Sequence, residues 1–292
     1  VVNHSPRQAL QSAAAELSRT GEDPRSQELA ENLAAVHARI DRAMELAQRS
    51  DRPSLIVVTK FFPAQDVARL YRLGVRDVGE NRDQEAAAKA AEVRELLSHD
   101  LVGEPDSDDH SREPRSDDPS REPRDAEQDL HWHFIGQLQS NKARSVIDYA
   151  DHLHSVDRMS LVKALIKVST QDTAAEETQA PLRCLIQVDL REPMPEDGRG
   201  GASPAQIPAL AAAIDSAPGL SLSGLMAVAP LGEPAAPAFN RLQLLSAELR
   251  ESYPQASMVS AGMSGDLEEG VASGATHLRV GRDVLGERPL QR

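Results

Sequence analysis

A lysine closes the apolar run in "SLIVVTKFFP" (Ser54 to Pro63). Lys60 follows four residues, Leu55 to Val58, whose unbroken apolar character is that of a short strand buried on both faces. There it is either a solvated strand-end charge or an amine projecting into a pocket, where it would act as a nucleophile. Late in the chain, "SAGMSGD" (Ser260 to Asp266) sets two glycines and Ser264 just ahead of a helical segment. The free N–H groups at a helix start favour an anion. "RVGR" adds Gly281 between Arg279 and Arg282, so these two segments read together as a phosphate cradle.

For the amine and the cradle to meet, the intervening elements must bring strand ends together. An amphipathic helix is expected over Glu28 to Arg49, with Leu33, Val36, Ile40, Met44 and Leu46 at near-helical spacing. After Lys60 come "PAQDVARLYRLG", a helix closed by Gly74, then the strand "VRDVGE" and the helix "DQEAAAKAAEVRELL". The alternation resumes with "LHWHFIGQ" and "DHLHSVD" as strands three and four, and "SNKARSVIDYA" and "MSLVKALIKVSTQ" as helices. "LRCLIQVDL", "LSLSGLMAVAP", "SMVSAG" and "THLRVG" supply strands five to eight, with helices between them and loops expected at 172–180 and 192–201. Strands alternating with helices to a count of eight fit a single (β/α)8 TIM-type barrel better than an open doubly wound sheet. In such barrels the site lies at the C-terminal strand ends, and phosphate is often held by the loops after strands seven and eight.

Composition narrows the partners. At 292 residues the formal net charge is −14, which argues against broad nucleic-acid binding and against an anionic membrane surface. The single cysteine, Cys184, lies in an apolar run and forms no internal disulfide, which fits a reducing compartment. With no membrane-length apolar stretch and no signal-peptide order at the start, a cytoplasmic protein is expected. Between Glu104 and Asp129 there is no Leu, Ile, Val or aromatic residue, and a nonapeptide is duplicated as "SDDHSREPR" and "SDDPSREPR". That segment has nothing to bury against the entropy of ordering, so 103–129 is expected to be a disordered acidic insertion. The domain plan is then an N-terminal extension over 1–27 and a barrel over 28–102 and 130–292.

A ligand with a phosphate for the cradle and a carbonyl for the amine meets both requirements. Pyridoxal 5′-phosphate (PLP) is such a ligand, with Lys60 as its Schiff-base lysine. Arg279 would then face the pyridine nitrogen, and a permanent cation there would keep that nitrogen unprotonated and blunt the electron sink.

The motifs "VTK" at 58–60, "GEN" at 79–81, "HWHFIGQLQSNK" at 131–142, "SVDR" at 155–158, "GLMAVAP" at 224–230 and "GMSGD" to "LRVG" at 262–281 resemble the pyridoxal phosphate homeostasis protein family. The resemblance implies a fold-type III PLP-binding barrel of the alanine racemase N-terminal kind, with no established turnover. It implies Lys60 as the Schiff-base lysine, Asn81, His133 and Met226 as pocket wall, Ser264 and Gly281 on the phosphate, and Arg279 at the ring nitrogen. Ser155, Met263 and Arg282 complete the expected cofactor-binding set. The chain departs from the family pattern at Ala261, at Arg282, where a small hydroxyl residue is usual, and at Asp189. A guanidinium at 282 would replace a hydroxyl–phosphate bond with a charge-assisted one.

His131 and His133 face one side of their strand, but no further ligands stand at metal spacing, so no metal is expected. Ser264 reads equally as an N-cap. Two functions compete: a carrier that binds the cofactor reversibly, with PLP-dependent apo-enzymes as candidate recipients, and a fold-type III racemase or decarboxylase. A racemase of this architecture takes a tyrosine base from a partner's extra domain. Here eleven residues follow strand eight, and Tyr71, Tyr149 and Tyr253 fall on or beside helices, which favours a monomeric carrier.

Overall fold

The computed structural model describes residues 6–7, 10–11, 23–101, 130–172, 180–193 and 201–288. The expected acidic insertion at 103–129, most of the N-terminal extension, and most of the two loops at 172–180 and 192–201 lie outside them.

Eight parallel strands close into a barrel in sequence order: β1 (Ser54–Val58), β2 (Asp77–Glu80), β3 (His131–Phe134), β4 (His152–Val156), β5 (Leu182–Gln187), β6 (Leu220–Met226), β7 (Met258–Ser260) and β8 (His277–Val280). Closure comes from β1 pairing with β8, Ser54 opposite His277 through Val57 opposite Val280. Helices follow the strands: α2 (Ala64–Arg72), α3 (Asp83–Leu101), α4 (Ala143–Tyr149), α5 (Met159–Asp172), α6 (Ile207–Asp215), α7 (Ala235–Ser252), α8 (Leu267–Ala272) and α9 (Arg282–Leu285).

Ahead of β1 stands α1 (Pro24–Leu46), which starts four residues before the expected Glu28. The start is fixed by local chemistry: the Asp23 side chain accepts from the Arg25 amide, and Pro24 sits at the first helical position, where its missing N–H costs nothing. Leu29, Leu33, Val36 and Ile40 make its buried stripe. Because α9 has only four residues, α1 fills the outer-ring place beside β8, packed between α2 and α8. Arg25 ties it down, donating to Asp66 of α2 at 2.9 Å and to the Leu285 carbonyl of α9 at 3.0 Å. Both α9 and the 3-10 turns at Ser140–Lys142 and Pro204–Gln206 were not legible in the sequence pattern.

Candidate functional site

The end of β1 is built to aim Lys60. Thr59 is fully buried; its amide donates to the Gly79 carbonyl at 2.9 Å and its hydroxyl to Glu80 Oε1 at 2.7 Å. Lys89, reaching in from α3, donates to the Thr59 carbonyl at 2.9 Å and to Glu80 Oε1 at 2.5 Å. The chain then turns sharply, with Phe62 N–H bonded back to Thr59 and Phe61 held at φ +72°, a left-handed conformation unusual for an aromatic residue. Thus a buried Lys–Glu pair clamps the backbone on one side of Lys60 and a strained turn fixes it on the other.

Three cations gather on the Phe61 ring: Lys60 Nζ at 6.0 Å from its centroid, and the Arg82 and Arg288 guanidinium carbons at 5.0 and 4.9 Å. Burial, then the positive charge of Arg288, pulls the Lys60 amine below the ordinary lysine range, with Glu80 opposing and Arg82 adding to the fall. The neutral, nucleophilic amine is therefore more available near neutral pH than it is for a solvated lysine.

Opposite Lys60, the loop after β7 folds on itself. Gly262 takes φ +87°, and a Cβ there would meet Leu278 Cδ2 at 2.9 Å. Asp266 stands at the N-cap position of α8, but its carboxylate turns back into the loop and accepts from the Met263 amide at 2.5 Å. The N-cap is thus Asp266 and not Ser264. Ser264 and Gly265 are left with amides that have no backbone acceptor among the described residues. Arg39, on α1, holds this loop from outside: it donates to the Ser264 carbonyl at 3.1 Å and pairs with Glu268 at 2.9 Å and Asp283 at 2.5 Å. Gly281 lies against β1, where a Cβ would stand 3.1 Å from the Val58 carbonyl oxygen, so the cradle and the strand bearing Lys60 are in direct contact.

These walls enclose a cavity of about 570 Å³, in the range of small-molecule sites. Six of the ten expected residues line it: Lys60, Met263, Ser264, Arg279, Gly281 and Arg282. Lys60, Arg279, Arg282 and Arg288 face it against one carboxylate, Glu287, although the chain as a whole is strongly acidic. Arg279 is buried and fixed, donating to Ser260 Oγ at 2.6 Å and the Ala227 carbonyl at 2.8 Å. Burial draws it down to about 10, which leaves it cationic at neutral pH.

Four expected residues do not line the cavity. Met226 is buried at the end of β6. Asn81 and Ser155 stand near strand ends, and each keeps a buried side-chain oxygen with no partner. His133 departs furthest from its expected place on the pocket wall. Both its ring nitrogens are engaged inside the barrel, with Asp77 and with His154, at 2.9 Å each. No group of His, Cys, Asp or Glu among the described residues is arranged to hold a metal. Arg39, Glu80, Lys89 and Arg288 are missing from the sequence-based set. A signal existed only for Glu80, inside the "GEN" motif.

The fold and site together define the class. The alanine racemase N-terminal domain family matches residues 32–289. Alanine racemase from Corynebacterium glutamicum shares the fold at a TM-score of 0.55 and 16% identity. Closer in sequence, the chain is 38% identical to the pyridoxal phosphate homeostasis protein of Mycobacterium bovis, covering 91% of this chain and 95% of that one. It is 32% identical to the Escherichia coli protein of the same name, covering 89% and 97%. The solved structure of PipY from Synechococcus elongatus, with PLP bound, superposes at a TM-score of 0.63 and 31% identity, over 88% of this chain and all of that one. The chain belongs to the pyridoxal phosphate homeostasis protein family.

Proposed function

We propose that this protein binds pyridoxal 5′-phosphate reversibly at Lys60 and carries or buffers it in the cytoplasm. The observation that carries the reading is that the depressed amine of Lys60 and the loop of Ser264, Gly281 and Arg282 share one cation-lined cavity. The residues suit the group. Amides at 264 and 265, with no backbone acceptor among the described residues, and the exposed Arg282 offer donors to a phosphate. Bound PLP supplies an aldehyde that condenses reversibly with an amine. Lys60 provides that amine, Arg279 a fixed cation beside the ring nitrogen, and Phe61 an apolar face that keeps water from one side of Lys60.

The same site is poorly equipped for turnover. No tyrosine, histidine or cysteine lines the cavity. Tyr149 is half-buried with its hydroxyl pushed up by desolvation and by Asp83 and Glu80, Tyr71 lies on α2 against Arg76, and Tyr253 ends α7. A cation at the ring nitrogen also disfavours carbanion stabilisation. No helix among the described residues is long and apolar enough to cross a membrane. The reading is tested by loading the protein with PLP and incubating it with L- and D-alanine in deuterium oxide beside an apo PLP-dependent enzyme. The expected result is recovery of the apo-enzyme's activity with no deuterium entering alanine from the carrier alone. Catalytic deuterium incorporation by the carrier would replace this reading with the racemase one.

A further inference from the structure

Behind Arg279 the barrel interior holds a continuous line of polar side chains. Arg279 Nη1 lies 2.6 Å from Ser260 Oγ, and Ser260 Oγ lies 3.0 Å from His154 Nδ1. His154 Nε2 is 2.9 Å from His133 Nδ1, and His133 Nε2 is 2.9 Å from Asp77 Oδ1. The three middle residues are buried, in β7, β4 and β3 respectively. The line runs from the cavity to Asp77 at the first residue of β2, on the opposite end of the barrel.

With both imidazoles neutral, the Asp77 end decides every proton in between. A carboxylate only accepts, so His133 carries its proton on Nε2 and donates it to Asp77, and its Nδ1 accepts from His154 Nε2–H. His154 Nδ1 then accepts from the Ser260 hydroxyl, whose oxygen accepts from the Arg279 guanidinium, which only donates. A second proton on His154 would turn its Nδ1 into a donor to Ser260 Oγ, and one on His133 would oppose its Nδ1–H to the Nε2–H of His154 unless His154 changed tautomer, so either one reverses part of the line. The surroundings offer no relief. His152 stacks on His133 at 4.2 Å between centroids, and His277 lies 6.5 Å from it. His131, the other group near Asp77 at 3.5 Å, is at the barrel end and outside the line. Burial, the leading cause, holds His154 well below the ordinary histidine range, and burial holds His277 at about 4.

We propose that Ser260, His154 and His133 form a one-directional hydrogen-bond line, neutral along its length and charged only at Arg279 and Asp77, that fixes Arg279 as a donor facing the cavity. They are positioning residues that act through Arg279. The role given to Arg279 at the ring rests on the proposed PLP binding; the proton assignment does not. The line also reassigns His133, which serves the pocket from below it.

The test is a long-range 1H–15N spectrum of the apo full-length protein labelled with 15N-histidine, with peaks assigned by loss in His133→Gln and His154→Gln, recorded between pH 6 and 8. Both residues are expected as the Nε2–H tautomer throughout. Either one appearing as the Nδ1–H tautomer, or becoming imidazolium in that range, would overturn the proposal. A second arm measures PLP affinity and the absorption maximum of the bound cofactor. Ser260→Ala is expected to weaken binding about tenfold and to move the maximum, with Ser260→Thr restoring both. Unchanged affinity and spectrum in Ser260→Ala would overturn the positioning role. If wild type binds no PLP while the tautomers are as stated, the PLP reading fails and the line stands.

Discussion

The mouth of the barrel and the layer beneath it hold similar side chains in opposite states. In the lower layer, Asp77, His133, His154, Ser260 and Arg279 each hydrogen-bond the next. At the mouth, Lys60, Arg282 and Arg288 form no ion pair with a described residue. Leaving a buried polar group unmatched costs about 1–3 kcal/mol, a cost the line of the lower layer avoids at each link, whereas the cations of the mouth have no such partner. Arg279 belongs to both layers and joins them. The mouth also stores strain, at Phe61, and is clamped from outside by α1 through Arg39.

The largest effect should come from breaking a pair in the clamp beside Lys60. Lys89→Ala leaves Glu80, whose second oxygen is already unpartnered, as an uncompensated buried charge, and should cost about 3–5 kcal/mol in denaturant unfolding. Adding Glu80→Gln should recover part of that loss; no recovery would mean the clamp works by packing.

Acid should break the lower layer first. His152 is drawn down to about 2, His277 to about 4 and His154 well below its unfolded value of about 6.5, all mainly by burial, and His37 on α1 is likewise held at about 4. Below pH 6.5 the unfolded chain takes up four protons that the folded protein refuses, so stability falls as pH falls, by up to about 5 kcal/mol per pH unit. His131, raised by Asp77, works in the opposite direction and reduces the slope. Melting temperatures from pH 7 to 4.5 should therefore drop steeply in wild type, and less so in His152→Phe.

At the mouth, Arg279→Ala should weaken PLP binding about a hundredfold, because it removes a desolvated charge-assisted donor. Arg39 does not line the cavity and reaches it only through the Ser264 carbonyl, so Arg39→Ala should weaken binding about tenfold while thermal stability changes little, since its ion pairs are half-exposed. The smallest effect belongs to Arg288→Ala. Removing that positive neighbour should raise the Lys60 amine toward its ordinary value, so that covalent loading, which needs the neutral amine, moves to higher pH. An unshifted loading profile would mean that burial alone depresses the lysine.

Most of the mouth was legible in sequence because its groups sit at strand ends inside short local motifs, and eight alternating strands are enough to predict that such ends converge. Its supports were not. Arg39 acts across more than two hundred residues on the loop of Ser264, and Lys89 reaches Glu80 from what reads as the solvated face of a helix. His133 was legible as special and misplaced in role. Period-two alternation puts a strand residue inside the barrel, but only the pairing of β2, β3, β4 and β7 shows that it points away from the mouth and toward Asp77. Helix α9 was hidden because four residues carry no periodicity.

The central claim is that Lys60 ends its strand in order to hold a carbonyl-bearing phosphate ligand. It is tested most directly by incubating the full chain with PLP, reducing with borohydride and mapping the product by peptide mass spectrometry. A pyridoxyl phosphate mass on the Lys60 peptide, absent from Lys60→Ala and undiminished by Lys142→Ala, is the predicted result. Modification spread over surface lysines, or an equal yield in Lys60→Ala, would contradict it.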